Sequence, residues 1–210
     1  MKSILFDLDG TLTDSGEGIM NCAKLALEHY GIQVPDIQSL RVFVGPPLVD
    51  SFVRFGVPAE EANNAVAIYR SRYLTVGKFE NFPYPGIEEL LQKLKADGHK
   101  LYVATSKPET TSIEILDHFG LSKYFDIICG ATMDKTRSSK ASVIAYLLRQ
   151  IENAGNIMMV GDTAFDVLGA KVHGIPTIGV SWGYGEIADM EASGAVGIAH
   201  TMNELYDYLH

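Results

Sequence analysis

Apolar and polar positions change their rhythm twice along this chain. It opens with a short apolar run, Ile4-Leu5-Phe6, as expected of a strand buried on both faces, and the run ends in Asp7-Leu8-Asp9-Gly10-Thr11. From about residue 16 to 30, Ile19, Cys22, Ala23, Ala26, Leu27 and Tyr30 recur at helical spacing, and Gly31 supplies a stop. Asp36 can cap a short helix through Leu40 and Phe43, which Gly45-Pro46-Pro47 breaks. A longer helix is predicted from about 59 to 76, with Ala62, Ala65, Val66, Ile68, Tyr69 and Tyr73 on its apolar side. No convincing strand pattern occurs between about 15 and 80.

Past the breaker-rich connector Asn81-Phe82-Pro83-Tyr84-Pro85-Gly86, the pattern alternates. Helices are predicted over about 86–97, 109–118, 139–151 and 164–172. Strands are predicted over 100–105, 126–129, 156–160 and 176–180, followed by two short final helices. Such alternation implies parallel pairing with right-handed crossovers. The expected fold is therefore α/β. A Rossmann-like parallel sheet core flanked by helices takes residues 1–14 and 82–210. A small all-helical cap domain, residues 15–81, is inserted after the first strand, where it is well placed to act as a lid.

Charge adds the chemistry. Asp7 and Asp9 are too close to ionise together without cost. A cation resolves the conflict, and hard Mg²⁺ prefers carboxylate oxygen. Open α/β sheets place their ligands at this strand edge. A second apolar run, Ile157 to Val160, ends in Gly161-Asp162-Thr163-Ala164-Phe165-Asp166. In a parallel sheet it finishes on the same edge, and Asp162 and Asp166, four residues apart, can aim at one point. Asp162 by itself is equally a helix N-cap. Two acidic strand ends in one sheet make coincidence a poorer account. Leu101 to Ala104 ends in Thr105-Ser106-Lys107-Pro108, which makes either an anion pocket or an ordinary cap. Lys140 opens a helix against the dipole. A nearby anion explains that placement, and a solvated lysine is the plainer alternative. Together these groups suit phosphoryl transfer. Asp7 is the candidate nucleophile and Asp9 the acid–base group. Thr105 and Lys140 are placed to hold phosphoryl oxygens, with Mg²⁺ bridging.

Composition narrows the partners. At 210 residues the chain can build one full core and a modest second unit. A net charge of -9 argues against nucleic acid and against anionic membranes. An anionic substrate then needs local positive charge, from a metal, Arg41, Lys107 or Lys140. No apolar run approaches spanning length, and the N-terminus does not read as a signal peptide. Cys22 and Cys129 lack ligand spacing and read as buried free thiols, which suits the cytoplasm. Nothing demands an oligomer, so a monomer or weak homodimer is expected.

These motifs strongly resemble the haloacid dehalogenase-like hydrolase superfamily. Asp7-Leu8-Asp9-Gly10-Thr11-Leu12 is similar to its first motif, Thr105 to the second, Lys140 to the third and Gly161 through Asp166 to the fourth. The order and the cap after the first motif resemble the subgroup typified by phosphoglycolate phosphatase and β-phosphoglucomutase. The resemblance implies that Asp7 is the nucleophile and, with Asp162, a carboxylate ligand of Mg²⁺. It implies that Asp9 is the acid–base group and a ligand through its backbone carbonyl. Asp166 would hold metal-bound water or orient Lys140, and Ser106 would lend an N–H to phosphate. Many relatives carry proline after the third-motif lysine where this chain has Ala141, so Lys135 rivals Lys140. The Leu40–Leu48 stretch resembles a substrate-facing loop, which makes Arg41 and Gly45 substrate-binding candidates. Arg41 is otherwise a surface arginine. Lys107 is a further candidate for substrate, and Trp182-Gly183-Tyr184-Gly185 reads mainly as a glycine-rich turn. The expected function is a Mg²⁺-dependent phosphatase, phosphoglycolate phosphatase-like, that hydrolyses a small phosphorylated metabolite through an aspartyl-phosphate. A 5′-nucleotidase, a pyrophosphatase and a β-phosphoglucomutase-like phosphomutase are the alternatives.

Overall fold

The structure is a computed structural model and describes residues 1–134, 136–152 and 155–210. The chain begins with β1 (Lys2–Phe6), β2 (Thr13–Asp14) and α1 (Gly16–His29), then a 3-10 helix over Ile37–Phe43. Next come α2 (Leu48–Arg54), α3 (Ala62–Tyr73), β3 (Phe82–Pro83), α4 (Ile87–Ala96), β4 (Lys100–Pro108) and α5 (Glu109–His118). The remainder is β5 (Ile127–Ala131), α6 (Lys140–Leu148), β6 (Asn156–Gly161), α7 (Ala164–Lys171), β7 (Thr177–Val180), α8 (Ile187–Ser193), β8 (Gly197–Ala199) and α9 (Met202–Leu209). Two compact units result, 1–13 with 83–210 and 14–82.

The larger unit is built on a six-stranded parallel sheet of order β5-β4-β1-β6-β7-β8. The expected α/β fold is borne out. Side chains alternate across β1, as the two-residue period of a strand requires. Ile4 and Phe6 face α4, α5 and α9 through Leu90, Leu91, Leu94, Leu116 and Leu205. Leu5 faces α6 and α7 through Val143, Ile144, Leu147 and Ala170. Each fully buried Leu or Phe contributes about 1.5–3 kcal/mol. Both faces of β1 are covered, so its only polar outlet is its C-terminal end. After β1 the chain builds outward to β4 and β5, then returns to the other side of β1 for β6, β7 and β8. The reversal point of such a sheet opens a crevice at the strand ends. Here the chain reverses at β1, and parallel β1, β4 and β6 finish on one edge of the sheet.

The smaller unit packs α1, the 3-10 helix, α2 and α3 around aromatic side chains. The Phe43 ring lies 5.0 Å from those of Phe52 and Phe55, and Phe52 meets Tyr69 at 6.4 Å. Arg72 forks onto Glu80, Nη1 to Oε2 at 2.7 Å and Nη2 to Oε1 at 2.6 Å, which pins the exit segment against α3.

Several elements differ from the sequence reading. The stretch from Ile37 folds as a 3-10 helix, with Asp36 accepting from the Gln38 N–H at its start. The helix expected from 59 begins at Ala62, because residues 59–61 form a turn. α2 was not anticipated. Pro47, expected only as a breaker, is the N-cap of α2, where no intrahelical N–H is required of it. β8 was not anticipated either. Three residues show no periodicity, and it exists because Gly197 pairs with Ile178.

Candidate active site

Asp7 leaves β1 directly, and its N–H still donates to the Val160 carbonyl of β6 at 2.9 Å. Gly10 then takes φ +81°, a left-handed turn that carries the chain away from the strand end. Asp162 follows β6. The plainer account of Asp162 as a helix N-cap does not hold, because Thr163 is the N-cap of α7. Asp166, at the third helical position, accepts from the Thr163 N–H at 3.1 Å and from its hydroxyl at 2.8 Å, both on Oδ2.

Lys140 is the first residue of α6, capped by Ser139, and it is 95% shielded from solvent. It is not a solvated lysine. Its Nζ lies 2.7 Å from Asp7 Oδ1 and 2.8 Å from Asp166 Oδ1, and it donates to the Ala104 carbonyl at 2.9 Å. An ammonium has three hydrogens, and three acceptors stand around it. A Cβ on Gly169 of α7 would overlap the Lys140 stem, so glycine there makes room for the lysine to reach inward.

Three buried carboxylates, Asp7, Asp162 and Asp166, offer oxygens within 4.8 Å of one another. Burial pushes the Asp7 carboxyl up to about 6. The Lys140 charge opposes that rise, and Asp166 and Asp9 add to it. Asp162 is raised well above the usual carboxylate range by burial and then by the fields of Asp166 and Asp7. Burial disfavours the Lys140 charge, but Asp166 and Asp7 more than offset this and hold the ammonium above the ordinary lysine value. One lysine does not balance three carboxylates. The cluster is short of positive charge and lined with hard oxygen donors, which is the character of a divalent-cation site. Asp166 spends one oxygen on Thr163 and the other on Lys140.

Asp9 stands apart from this cluster. Lys107 Nζ lies 2.6 Å from each of its carboxylate oxygens. The Lys107 N–H donates to Thr105 Oγ1 at 3.2 Å, where the pairing of β4 with β5 shifts register between Ala104 and Pro108, so β4 runs past its expected end at 105 through an irregularity. Ser106 is exposed on that stretch of β4. Arg41 and Gly45 are exposed in the smaller unit, on the 3-10 helix and just after it. Lys135, the rival to Lys140, lies outside the described residues.

The loop after β7, expected as a glycine-rich turn at the edge of the site, also makes direct contacts there. The Tyr184 N–H donates to Asp162 Oδ2 at 2.8 Å, and the Trp182 Nε1–H donates to the Thr11 carbonyl at 3.2 Å. A Cβ on Gly183 would overlap Asp162. The Thr11 hydroxyl reaches Asp162 Oδ1 at 3.4 Å. The available signal was the pair of glycines flanking Tyr184, which lets backbone approach a carboxylate closely.

Residues 4–180 match the family model for haloacid dehalogenase-like hydrolases. A 5′-nucleotidase of Pseudomonas aeruginosa is 43% identical over 192 residues, 90% of this chain and 87% of the relative. The tyrosine-protein kinase PtkA of Mycobacterium tuberculosis is 41% identical over 209 residues, 98% of this chain and 72% of the relative. A crystal structure described as a predicted phosphatase from Clostridium acetobutylicum superposes with a TM-score of 0.92 at 43% identity, covering 99% of this chain and 97% of that one.

Proposed function

The chain belongs to the haloacid dehalogenase-like hydrolase family, and on that premise we propose that it is a Mg²⁺-dependent phosphatase acting on a small phosphomonoester. The observation that supports this is the Lys140 ammonium held between Asp7, Asp166 and the Ala104 carbonyl, beside Asp162. In the proposed reaction an Asp7 carboxylate oxygen attacks phosphorus and the bond to the leaving oxygen breaks, giving an aspartyl-phosphate. Asp9 gives that oxygen its proton, which requires its carboxyl to leave Lys107 and be protonated when the substrate enters. Water then attacks the acyl phosphate, Asp9 takes the water's proton, and phosphate leaves. Thr105 and the Ser106 N–H meet the phosphoryl oxygens, and the Lys140 charge, held against Asp7, offsets the negative charge that gathers beside it. Asp7, Asp162 and the Asp9 carbonyl would hold Mg²⁺, with Asp166 orienting Lys140. When bound, the ion lessens repulsion between the nucleophile and the phosphate.

The proposed substrates are nucleoside 5′-monophosphates first, by analogy with the Pseudomonas relative. Phosphoglycolate and small sugar phosphates come next. Transfer onto protein tyrosine is a second reading, favoured only by the mycobacterial relative. The proposed setting is the cytoplasm, where the free thiols Cys22 and Cys129 stay reduced.

The test is phosphate release from a panel of phosphate esters with Mg²⁺, ranked by kcat/KM, alongside Asp7→Asn. The variant should fold and lose about 10³-fold or more of kcat. Near-normal turnover by Asp7→Asn would reject the nucleophile. Label moving from ATP to a tyrosine peptide, without ester hydrolysis, would install the second reading.

A further inference from the structure

β5 ends at Ala131, and Lys140 is the first residue of α6, so the segment that leads into α6 decides where Lys140 starts its reach to Asp7 and Asp166. Within it, Arg137 makes an unusual set of contacts. Its Nε–H donates to the Gly130 carbonyl of β5 at 2.7 Å, and its Nη2 reaches Glu109 Oε2 at 2.7 Å. Its guanidinium lies 3.7 Å from the ring centre of Tyr146 on α6. The Arg137 backbone is also anchored. Its N–H donates to Thr132 Oγ1 at 3.0 Å, and its carbonyl accepts from the Thr132 N–H at 2.8 Å.

Glu109 completes the arrangement. It is the first residue of α5, directly after the irregular end of β4, and its Oε2 also accepts from the Gly130 N–H at 3.1 Å. A Cβ on Gly130 would overlap the Lys107 carbonyl and the Glu109 backbone, so β5 lies directly against the end of β4. Arg137 and Glu109 thus tie the segment carrying Lys140 to the segment carrying Thr105, Ser106 and Lys107.

We propose that Arg137 is a positioning residue for Lys140, acting through Glu109, Gly130 and Tyr146. It touches none of Asp7, Asp162, Asp166 or the Lys140 ammonium. Its planar fork serves a carbonyl and a carboxylate while its face stacks on a ring. A lysine ammonium supplies a point charge and cannot do all three. The two sides of the phosphate pocket keep their spacing because this brace fixes it. A misplacement of about 1 Å in a catalytic group costs about 10²-fold in rate. The kinetic part of the proposal rests on the phosphatase reading, whereas the structural part does not.

The experiment uses the full chain with Arg137→Met, Arg137→Lys, Glu109→Gln and the Arg137→Met/Glu109→Gln double variant. Arg137→Met should lower kcat by about 10–10²-fold with KM changed by less than about 3-fold, well below its melting temperature. Arg137→Lys should recover only part of this loss. The double variant should be no worse than Arg137→Met, because both changes break one brace. In a crystal structure of Arg137→Met, Lys140 Nζ should move away from Asp7 or Asp166. If that variant does not fold, Glu109→Gln carries the same kinetic and structural comparison. A lower melting temperature with kcat unchanged and Lys140 unmoved would overturn the proposal. If the wild type hydrolyses no ester, the phosphatase reading fails, and the position of Lys140 alone decides the brace.

Discussion

Burying a carboxylate beside two others is costly, and Asp162 carries that cost without an ion pair to Lys140. Its partners are the Tyr184 N–H and the more distant Thr11 hydroxyl. Asn at this position keeps an oxygen for the Tyr184 N–H and removes the repelled charge. In metal-free protein at neutral pH, Asp162→Asn should therefore raise stability by about 1 kcal/mol or more, roughly 2–4 °C in Tm at this size. Calorimetry in chelator checks this, and a lower Tm would show that the Asp162 charge is not strained. The same variant should have little activity, because a site tuned for function is not tuned for stability. At this scale the sequence was informative where a residue broke its own pattern. Asp7 and Asp162 were legible because carboxylates end apolar runs. Lys140 was legible as a lysine on the wrong end of a helix. The Ala104 carbonyl was not legible, since every residue carries one.

Elements succeed or fail by how much local signal they contain. β1, α4 and α5 have clear periods and were read nearly to their ends, whereas β8 and the 3-10 helix depend on what packs beside them. In the smaller unit the segment after α3 is held by Arg72 on Glu80, both about three-quarters shielded. The hydrogen bonds from Arg72 hold the Glu80 carboxyl below its ordinary 4.5. A carboxyl depressed by folding adds stability above its unfolded value and loses it as pH falls through the folded value. Glu80→Gln should therefore lower Tm clearly at pH 7, with the deficit shrinking as pH drops below about 4.5. Thermal melts of both proteins from pH 7 to pH 3.5 measure this. A deficit that stays constant with pH would assign the loss to packing rather than to the ion pair.

For the molecule as a whole, a divalent ion bound to Asp7 and Asp162 would be linked to folding. A ligand at 100 times its Kd stabilises by about 2.7 kcal/mol. Mg²⁺ should raise the wild-type Tm in a concentration-dependent way and leave Asp162→Asn almost unmoved. An equal response from both proteins would place the ion elsewhere. Among the described residues no helix is long and apolar enough to cross a membrane.

Residue order alone settled that the sheet is parallel, because continuous apolar runs alternating with helices admit little else, although it did not show β8. It also settled that acids cap two of those strands. It did not settle which of those acids would meet. Asp7, Lys140 and Asp166 are brought within ion-pair distance by the return of the chain to β6 beside β1, a decision of the whole sheet. Nor did it show that Tyr184 would turn its N–H onto Asp162, or that Arg137 would lock onto Glu109. Contacts between distant segments depend on packed volumes and shared acceptors, which leave no period in a linear chain.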